Sequence, residues 1–174
     1  IFSSTCAIYG SPERNPIDET APPKPENPYA RSKLMVETML RDLESSGKSK
    51  MRTVALRYFN VAGAKIGGGL GQATPKATQL VKVAAETACG KRKQLFVFGT
   101  DYPTPDGTCV RDYIHVEDVA NAHILALNGL DNGIYNLGMN RGISNKEIID
   151  SAERITGQKL DLSYGPSRPG DPAC

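Results

Sequence analysis

The sequence has 174 residues, with no tryptophan, two histidines and only 6% aromatic residues. Its apolar stretches are short and interrupted, so none of them predicts a transmembrane span. Lysine and arginine total 21 against 19 acidic residues, and this net charge of +2 is not gathered into a basic tract. The composition therefore indicates neither a membrane protein nor a nucleic-acid-binding protein.

The cysteines and histidines form no recognisable metal-binding pattern. Four cysteines stand at positions 6, 89, 109 and 174, with no Cys-x-x-Cys pair among them. His115 and His123 are eight residues apart, and no acidic residue or cysteine completes a zinc set around them. We therefore expect structural or surface roles for both histidines, no metal site, and reduced cysteines in a cytoplasmic protein.

The sequence also lacks the usual glycine signatures of nucleotide binding. The glycines at 67, 68, 69 and 71 do not form G-x-G-x-x-G between a strand and a helix, and no P-loop is present. A flexible loop is the favoured interpretation of this cluster. Ile1 reads as the middle of a strand and Cys174 as part of a loop, so we expect the sequence to belong to a longer chain.

Alternation of β-type apolar runs with helical patterns predicts an α/β fold. Predicted strands lie at residues 1–4, 52–58, 95–98 and 134–137. Predicted helices begin at Asn27-Pro28, at Thr74-Pro75, at residue 116 and at a capping box formed by Ser144 and Glu147. They end near residues 47, 90, 127 and 157, three of which are glycines.

A catalytic pattern stands at the start of the first predicted helix. Tyr29 and Lys33 are one turn apart on one helix face, so both side chains can reach one ligand. A neighbouring ammonium stabilises a phenolate, which brings a tyrosine towards use as a base. An amphipathic helix often shows this spacing by chance, but the hydroxyl run Ser3-Ser4-Thr5 adds weight to it. Hydroxyl, tyrosine and lysine together are suited to proton relay during alcohol oxidation.

Further segments extend the pattern along the whole chain. They lie at residues 2–5, 9–10, 27–33, 56–60, 63–64, 98–104, 106–108, 110–116, 135–138 and 168–171. On these segments the chain resembles the extended short-chain dehydrogenase/reductase family. The block Asp-Tyr-Pro-Thr, Asp-Gly-Thr and Arg-Asp-Tyr-Ile-His-Val between residues 101 and 116 is specific to its sugar-nucleotide 4-epimerase branch.

The resemblance implies chemistry with bound NAD. Tyr29 would take the proton of the sugar 4-hydroxyl. Lys33 would stabilise the phenolate of Tyr29 and hydrogen-bond the nicotinamide ribose. Thr5 would supply the third hydroxyl of a family serine triplet, since threonine keeps that group. Tyr58 and Phe59 would line the nicotinamide side of the site.

The resemblance also implies a site for a UDP-sugar. Its expected residues are Asn60, Gln79, Leu80, Phe96, Phe98, Arg111, Tyr113, Arg168 and Asp171. Asn60, Arg111 and Arg168 would meet the diphosphate, since a guanidinium binds phosphate oxygens in pairs. Phe96, Phe98 and Leu80 would border uracil and ribose. Asp171 would bind the ribose, and Tyr113 would support Arg111. Gln79 departs from the family, which usually has Asn or His there.

The implied fold is the later part of a Rossmann-type, doubly wound parallel sheet with a smaller α/β substrate domain. Residues 1–60 and 116–138 would belong to the NAD-binding domain, and residues 61–115 and 139–174 to the UDP-sugar domain. A glycine-rich entry would precede Ile1, and a short tail with the residue that gates N-acetylated sugars would follow Cys174. The full-length protein would be a homodimer, to which the helix after Pro28 could contribute.

The implied function is interconversion of UDP-glucose and UDP-galactose by oxidation at C4, rotation of the 4-keto sugar and re-reduction. One alternative is a 4-epimerase for UDP-xylose/arabinose or a UDP-N-acetylhexosamine. A non-catalytic, sugar-nucleotide-binding fragment is another. A 4,6-dehydratase is disfavoured because Thr5-Cys6-Ala7 offers no acid for eliminating water. We expect the 174-residue segment alone neither to retain NAD nor to epimerise.

Overall fold

The structure is a computed structural model that describes residues 1–12, 14–168 and 171–174. It divides the chain into two compact units. The first unit contains Ile1–Val61 and Ile114–Asn140, and the second contains Ala62–Tyr113 and Arg141–Cys174. Strands and helices alternate in both units, which confirms the predicted α/β class.

The helices and strands follow the predicted order. They are β1 (Phe2–Thr5), a 3-10 helix (Cys6–Tyr9), α1 (Pro28–Ser45), β2 (Val54–Tyr58), β3 (Asn60–Ala62), α2 (Leu80–Ala88), β4 (Leu95–Phe98), β5 (Val110–His115), α3 (Val116–Asn128), β6 (Gly133–Leu137), β7 (Gly142–Ser144), α4 (Asn145–Thr156) and β8 (Leu162–Gly165). The four predicted helices are all present. Among the strands, β3, β5, β7 and β8 were not predicted. Strands β3 and β7 have only three residues each, β5 carries charged residues, and β8 contains a serine and ends in a glycine.

A three-stranded parallel sheet organises the first unit, in the order β1–β2–β6. Residues 54–57 of the central strand β2 are buried, which is typical of a parallel strand covered on both faces. Strand β1 pairs with β2 from Phe2 opposite Ala55 to Thr5 opposite Tyr58. The two strands therefore end side by side, at Thr5 and Tyr58.

Local capping explains where α1 and α4 begin. Asn27 precedes α1, and its Oδ1 accepts a hydrogen bond of 2.8 Å from the amide three residues later. Pro28 occupies the first helical position, where the missing N–H costs no helical bond. The predicted capping box of Ser144 and Glu147 is present at the start of α4, and Gly157 ends that helix in the left-handed conformation.

Helix α2 begins later than the sequence predicts. Thr74-Pro75 predicts a start at residue 74, whereas the helix begins at Leu80. Residues 75–76 form a turn instead, and Lys76 has a φ of 54°. A non-glycine residue in this left-handed region interrupts a right-handed helix. The predicted start was wrong because proline opens turns as readily as helices.

Two helices and a parallel strand pair build the core of the second unit. Strand β4 pairs with β8 from Leu95 opposite Leu162 to Phe98 opposite Gly165. The buried apolar cluster consists of Ala84, Leu95, Val97, Ile149 and Leu160, contributed mainly by α2, β4 and α4. In the same unit, the β5 residues Val110, Arg111 and Asp112 pair antiparallel with β7. Within the described residues, no helix has the length and apolar character needed to cross a membrane.

Asp106 fastens the loop between β4 and β5 to the start of α4. Its carboxylate accepts hydrogen bonds from the Thr108 amide at 2.9 Å, the Thr108 hydroxyl at 2.8 Å, and the Ser144 hydroxyl. Desolvation opposes the carboxylate charge, but these hydrogen bonds outweigh it and keep the pKa of Asp106 below its ordinary value of 3.8. The charged form of Asp106 therefore stabilises the folded state.

We predict that Asp106→Asn lowers the thermal unfolding midpoint near neutral pH by a few degrees. A carboxyl whose pKa is depressed by folding stabilises above its unfolded-state pKa and loses that contribution as it is protonated. The difference between wild type and variant should therefore shrink as the pH falls below about 4. Thermal unfolding across this pH range measures it, with the exposed Asp131→Asn as the matched control. A difference that stays constant with pH would contradict the assignment.

Candidate functional site

The predicted tyrosine and lysine lie together on α1, beside β1. Lys33 Nζ donates a hydrogen bond of 2.9 Å to the Ser3 carbonyl oxygen. The same ammonium lies 5.7 Å from the centre of the Tyr29 ring and 5.1 Å from that of Phe2. Tyr29 is 55% exposed, so its phenol is accessible to a ligand while Lys33 is held by the strand.

Thr5 ends β1 and is buried. Its Oγ1 accepts a hydrogen bond of 3.2 Å from the Ala7 amide, which caps the following 3-10 helix. Accepting this bond uses a lone pair and orients the side chain. The hydroxyl hydrogen of a threonine can still be donated to a ligand in that orientation.

Tyr58 stands directly opposite Thr5, at the end of β2. Its hydroxyl lies 2.8 Å from Ser3 Oγ and 3.0 Å from His123 Nε2. The half-buried Phe59 follows, and its amide donates to the Leu137 carbonyl oxygen at 3.1 Å. The structure therefore joins Tyr58 to the same strand residue, Ser3, whose carbonyl oxygen binds Lys33.

His123 was not among the predicted site residues. Its Nδ1 lies 2.8 Å from the Val119 carbonyl oxygen. Because a carbonyl can only accept, Nδ1 carries a proton, and this hydrogen bond orients the ring so that Nε2 lies against the Tyr58 hydroxyl. The contact joins residues 65 positions apart, and no local sequence signal could have identified it.

A buried ion pair was also missed. Arg57 in β2 donates to Glu37 in α1 through Nε at 3.0 Å and NH2 at 2.6 Å. Burial opposes the guanidinium charge, but the contacts with Glu37 and Tyr9 raise the pKa of Arg57 above its ordinary value. Burial also raises the pKa of Tyr9. An arginine inside an otherwise apolar strand was the available signal, because a buried charge requires a partner.

In the second unit, the predicted aromatic residues form a stack on β4. The rings of Phe96 and Phe98 are 6.1 Å apart and nearly parallel, and Phe96 is 49% exposed. The guanidinium of Arg168 lies 3.8 Å from the centre of the Phe98 ring. Gly99, with φ of 78°, follows the stack, and a Cβ there would lie 2.2 Å from the Tyr102 ring. Glycine is therefore required where the chain leaves β4.

The second predicted arginine is paired with the predicted ribose-binding carboxylate. Arg111 NH2 donates to Asp171 Oδ1 at 2.6 Å, and its NH1 donates to the Val110 carbonyl oxygen at 2.7 Å. Tyr113, two residues further along β5, is half-buried, and burial raises the pKa of its phenol although Arg111 acts in the opposite direction. The pair fixes the orientation of the Arg111 fork.

The remaining predicted residues are Gln79, Leu80 and Asn60. Gln79 precedes α2, and its Oε1 accepts a hydrogen bond of 2.9 Å from Gln72. Leu80 packs against the core cluster of the second unit, so part of its side chain serves that core. Asn60 is exposed at the start of β3. Among the described residues, no group of three or more histidine, cysteine, aspartate or glutamate side chains is arranged to hold a metal ion.

Comparison with known proteins identifies relatives of this chain. A family model described as the NAD dependent epimerase/dehydratase family matches residues 1–138. The chain is 52% identical over 176 residues to the UDP-glucose 4-epimerase of Azospirillum brasilense, covering 99% of this chain and 50% of that protein. It thus spans about half the length of such relatives.

Solved structures give the same result. The UDP-glucose 4-epimerase from Brucella ovis in complex with NAD has a TM-score of 0.92 and 47% identity, covering 99% of this chain and 54% of the other. The enzyme from Bifidobacterium longum in complex with NAD+ and UDP has a TM-score of 0.90 and 42% identity, covering 99% and 52%. The resemblance inferred from the motifs is confirmed, and the chain belongs to the NAD dependent epimerase/dehydratase family.

Proposed function

We propose that the protein containing this chain is a UDP-glucose 4-epimerase, which interconverts UDP-glucose and UDP-galactose with NAD. The observation that carries this proposal is the Tyr29–Lys33 arrangement, in which Lys33 is anchored to Ser3 and Tyr29 is exposed. The relatives named above support the same activity. The division of the chain into two units also supports one NAD-binding and one UDP-sugar domain.

The residues of the first unit fit NAD. Open parallel sheets bind nucleotides outside the carboxyl ends of their strands, and β1 and β2 end together at Thr5 and Tyr58. The exposed Tyr29 and the lysine beside it offer hydrogen-bonding groups there, and Tyr58 and Phe59 offer ring surfaces. When bound, NAD would accept hydride from C4 of the sugar and return it.

The protein residues would move the accompanying proton. Tyr29 would accept the proton of the sugar 4-hydroxyl, and the Lys33 ammonium would stabilise the phenolate. Thr5 would orient the 4-hydroxyl through its own hydroxyl. After the 4-keto sugar rotates, Tyr29 would return the proton to its 4-oxygen as the ketone is reduced, giving the alcohol of opposite configuration.

Turnover of nucleotide sugars by the full-length enzyme tests the proposed activity. We expect conversion of UDP-galactose to UDP-glucose. Parallel assays with UDP-arabinose, UDP-xylose and UDP-N-acetylhexosamines distinguish the alternatives. If the enzyme turns over one of these sugars but not UDP-galactose, that sugar would replace the proposed substrate. If it binds UDP-sugars but turns over none of them, a non-catalytic role would be favoured.

We predict that Tyr29→Phe in the full-length enzyme lowers kcat for UDP-galactose by about 10²–10⁴-fold, because it removes the general base. UDP affinity, measured by calorimetry, should stay within about threefold, since a base contributes little to ground-state binding. Tyr164→Phe, at an exposed tyrosine in β8, is the matched control. A loss of UDP affinity as large as the loss of rate would contradict the role of Tyr29.

The second unit would bind the UDP part of the substrate. The Phe96–Phe98 stack offers an apolar platform for uracil. Leu80 at the start of α2 and Gln79 directly before it would border the same part of the substrate. The guanidinium face of Arg168 lies on Phe98, so its N–H groups at the edge can donate to phosphate oxygens. Arg111 would act on the same diphosphate, and Tyr113 would support it. Its partner Asp171 would accept a hydrogen bond from the ribose.

We predict that Arg168→Met raises the dissociation constant for UDP by at least about tenfold, because a charge-assisted phosphate contact is lost. Titration calorimetry with the full-length enzyme measures it. Arg168→Lys should recover only part of the affinity, since lysine lacks the planar fork. Arg154→Met, at an exposed arginine on α4, is the control, and an equal effect of both methionine variants would contradict a specific role for Arg168.

A homodimer through α1 is the proposed assembly. Met35, Met39 and Leu43 are exposed and four residues apart, so they form one apolar stripe on this helix. An exposed apolar stripe is typical of a surface that packs against another helix.

We predict that the double variant Met35→Lys/Met39→Lys converts the full-length dimer to monomer, because paired stripes would bring like charges together. Sedimentation velocity at micromolar concentration measures the change. Ile155→Lys, at an exposed isoleucine on α4 of the second unit, is the control and should leave the dimer intact. A double variant that remains dimeric would place the interface elsewhere.

The cytoplasm is the proposed location. All four cysteines are free, as expected where thiols are kept reduced. Cell fractionation of the full-length protein tests this.

A further inference from the structure

The Arg57–Glu37 pair is almost completely removed from solvent. The side chains of Arg57 and Glu37 are 2% and 1% exposed. Two hydrogen bonds join them in the forked geometry described above. Such a pair is costly to bury and is often no more stabilising than apolar side chains of similar volume. Its presence in this position therefore calls for a role other than stability.

The pair joins three elements of the first unit. Glu37 lies on α1, Arg57 on β2, and the Ser4 hydroxyl of β1 donates to Glu37 Oε1 at 2.5 Å. Ser4 and Arg57 are direct partners in the ladder between β1 and β2. One carboxylate thus binds two strands that are already paired with each other.

Tyr9 extends this arrangement towards β6. The Arg57 guanidinium lies 4.7 Å from the centre of the Tyr9 ring, and the Tyr9 hydroxyl donates to Asn136 Oδ1 at 2.8 Å. Asn136 is the Cα partner of Arg57 in the pairing of β2 with β6. The guanidinium of the buried Arg57 therefore contacts both Glu37 and Tyr9, and it provides a fixed point for Glu37.

The spacing along α1 connects this fixed point with the candidate catalytic residues. Tyr29, Lys33 and Glu37 follow one another at intervals of four residues, so they share one helix face. Lys33 is bound to the Ser3 carbonyl oxygen, and Glu37 to the hydroxyl of the next strand residue, Ser4. Two polar contacts, one helical turn apart, therefore determine how far along β1 the helix lies.

We propose that the Glu37–Arg57 pair is a positioning device that fixes α1 on β1, so that Lys33 and Tyr29 stand correctly beside Thr5. The inference rests on the proposed function, in which these three residues handle the proton. Glu37 and Arg57 are positioning residues in this proposal, since they act through Lys33 and Tyr29. A pair that served stability alone could be replaced by apolar side chains without affecting turnover.

The test replaces the pair in the full-length enzyme with bound NAD. The double variant Glu37→Leu/Arg57→Met leaves no unpaired charge, and we expect its thermal unfolding midpoint to stay within a few degrees of wild type. We expect kcat for UDP-galactose to fall by about 10- to 100-fold, because small displacements of a catalytic group are costly. KM should change less than about threefold, since the UDP contacts are untouched.

The pH dependence of kcat separates positioning from stability. If the Lys33 ammonium moves away from the phenol, the acidic limb of the kcat profile should move to higher pH, because a phenolate without a neighbouring ammonium is less stable. A folded double variant with the wild-type kcat and pH profile would overturn the proposal.

A milder variant covers the case in which the double variant does not fold. Ser4→Ala removes the contact between β1 and Glu37 but retains the ion pair. We expect a several-fold lower kcat and the same direction of pH shift. The control is Thr38→Ala, at an exposed α1 residue whose hydroxyl donates to the Leu34 carbonyl oxygen of its own helix. Identical profiles for Ser4→Ala and Thr38→Ala would overturn the proposal.

A structural measurement keeps this inference distinct from the proposed function. In crystals of the double variant, or of Ser4→Ala, the distance from Lys33 Nζ to the Ser3 carbonyl oxygen should exceed about 3.5 Å. An unchanged distance would count against positioning even if turnover fell. A wild-type enzyme that acts on no UDP-sugar would contradict the proposed function alone, because this distance can be measured without turnover.

Discussion

The parallel pairing of β1 with β2 decides which side chains of the first unit can act on one ligand. Since both strands run in the same direction and in register, Thr5 and Tyr58 end at the same edge of the sheet. Helix α1, which connects them, returns along β1 and brings Lys33 to the Ser3 carbonyl oxygen. Ser3 also meets the Tyr58 hydroxyl. A shift of one residue in this pairing would turn each of these side chains to the opposite face.

In the second unit, two arginines are held in defined orientations by neighbouring side chains. An unpaired arginine has many rotamers, and ordering it costs free energy when a ligand binds. Arg111 is held by Asp171, and Arg168 lies on the Phe98 ring. Neither contact uses all five N–H donors of a guanidinium. Both side chains can therefore be preorganised and still offer hydrogen bonds to a phosphate.

Local signals predicted the parts of the fold that depend on neighbouring residues. The Asn27 cap and the capping box at Ser144 act within one helical turn, so the sequence around them was sufficient. The start of α2 was missed because Pro75 suits a turn equally well, and only the conformation of Lys76 decides between the two. Tyr29 and Lys33 could be paired from spacing alone, and their proposed roles come from the family resemblance. His123 could not be found, because its contact with Tyr58 is created by the tertiary fold.

Arg57 is intermediate between the residues that local signals predicted and those whose contacts arise only from the tertiary fold. A charge within a strand that is otherwise apolar implies a buried partner, and Glu37 lies on the helix face that already carries Tyr29 and Lys33. The sequence thus contained the reason for a pair but not the contact itself, which joins residues 20 positions apart. Apolar side chains could fill the same volume, but they would pack comparably well at several positions of α1 along β1. A two-bond ion pair is satisfied in one position, since hydrogen bonds weaken steeply with distance and angle. Directional contacts therefore define the position of α1 along β1, even where they add little to stability.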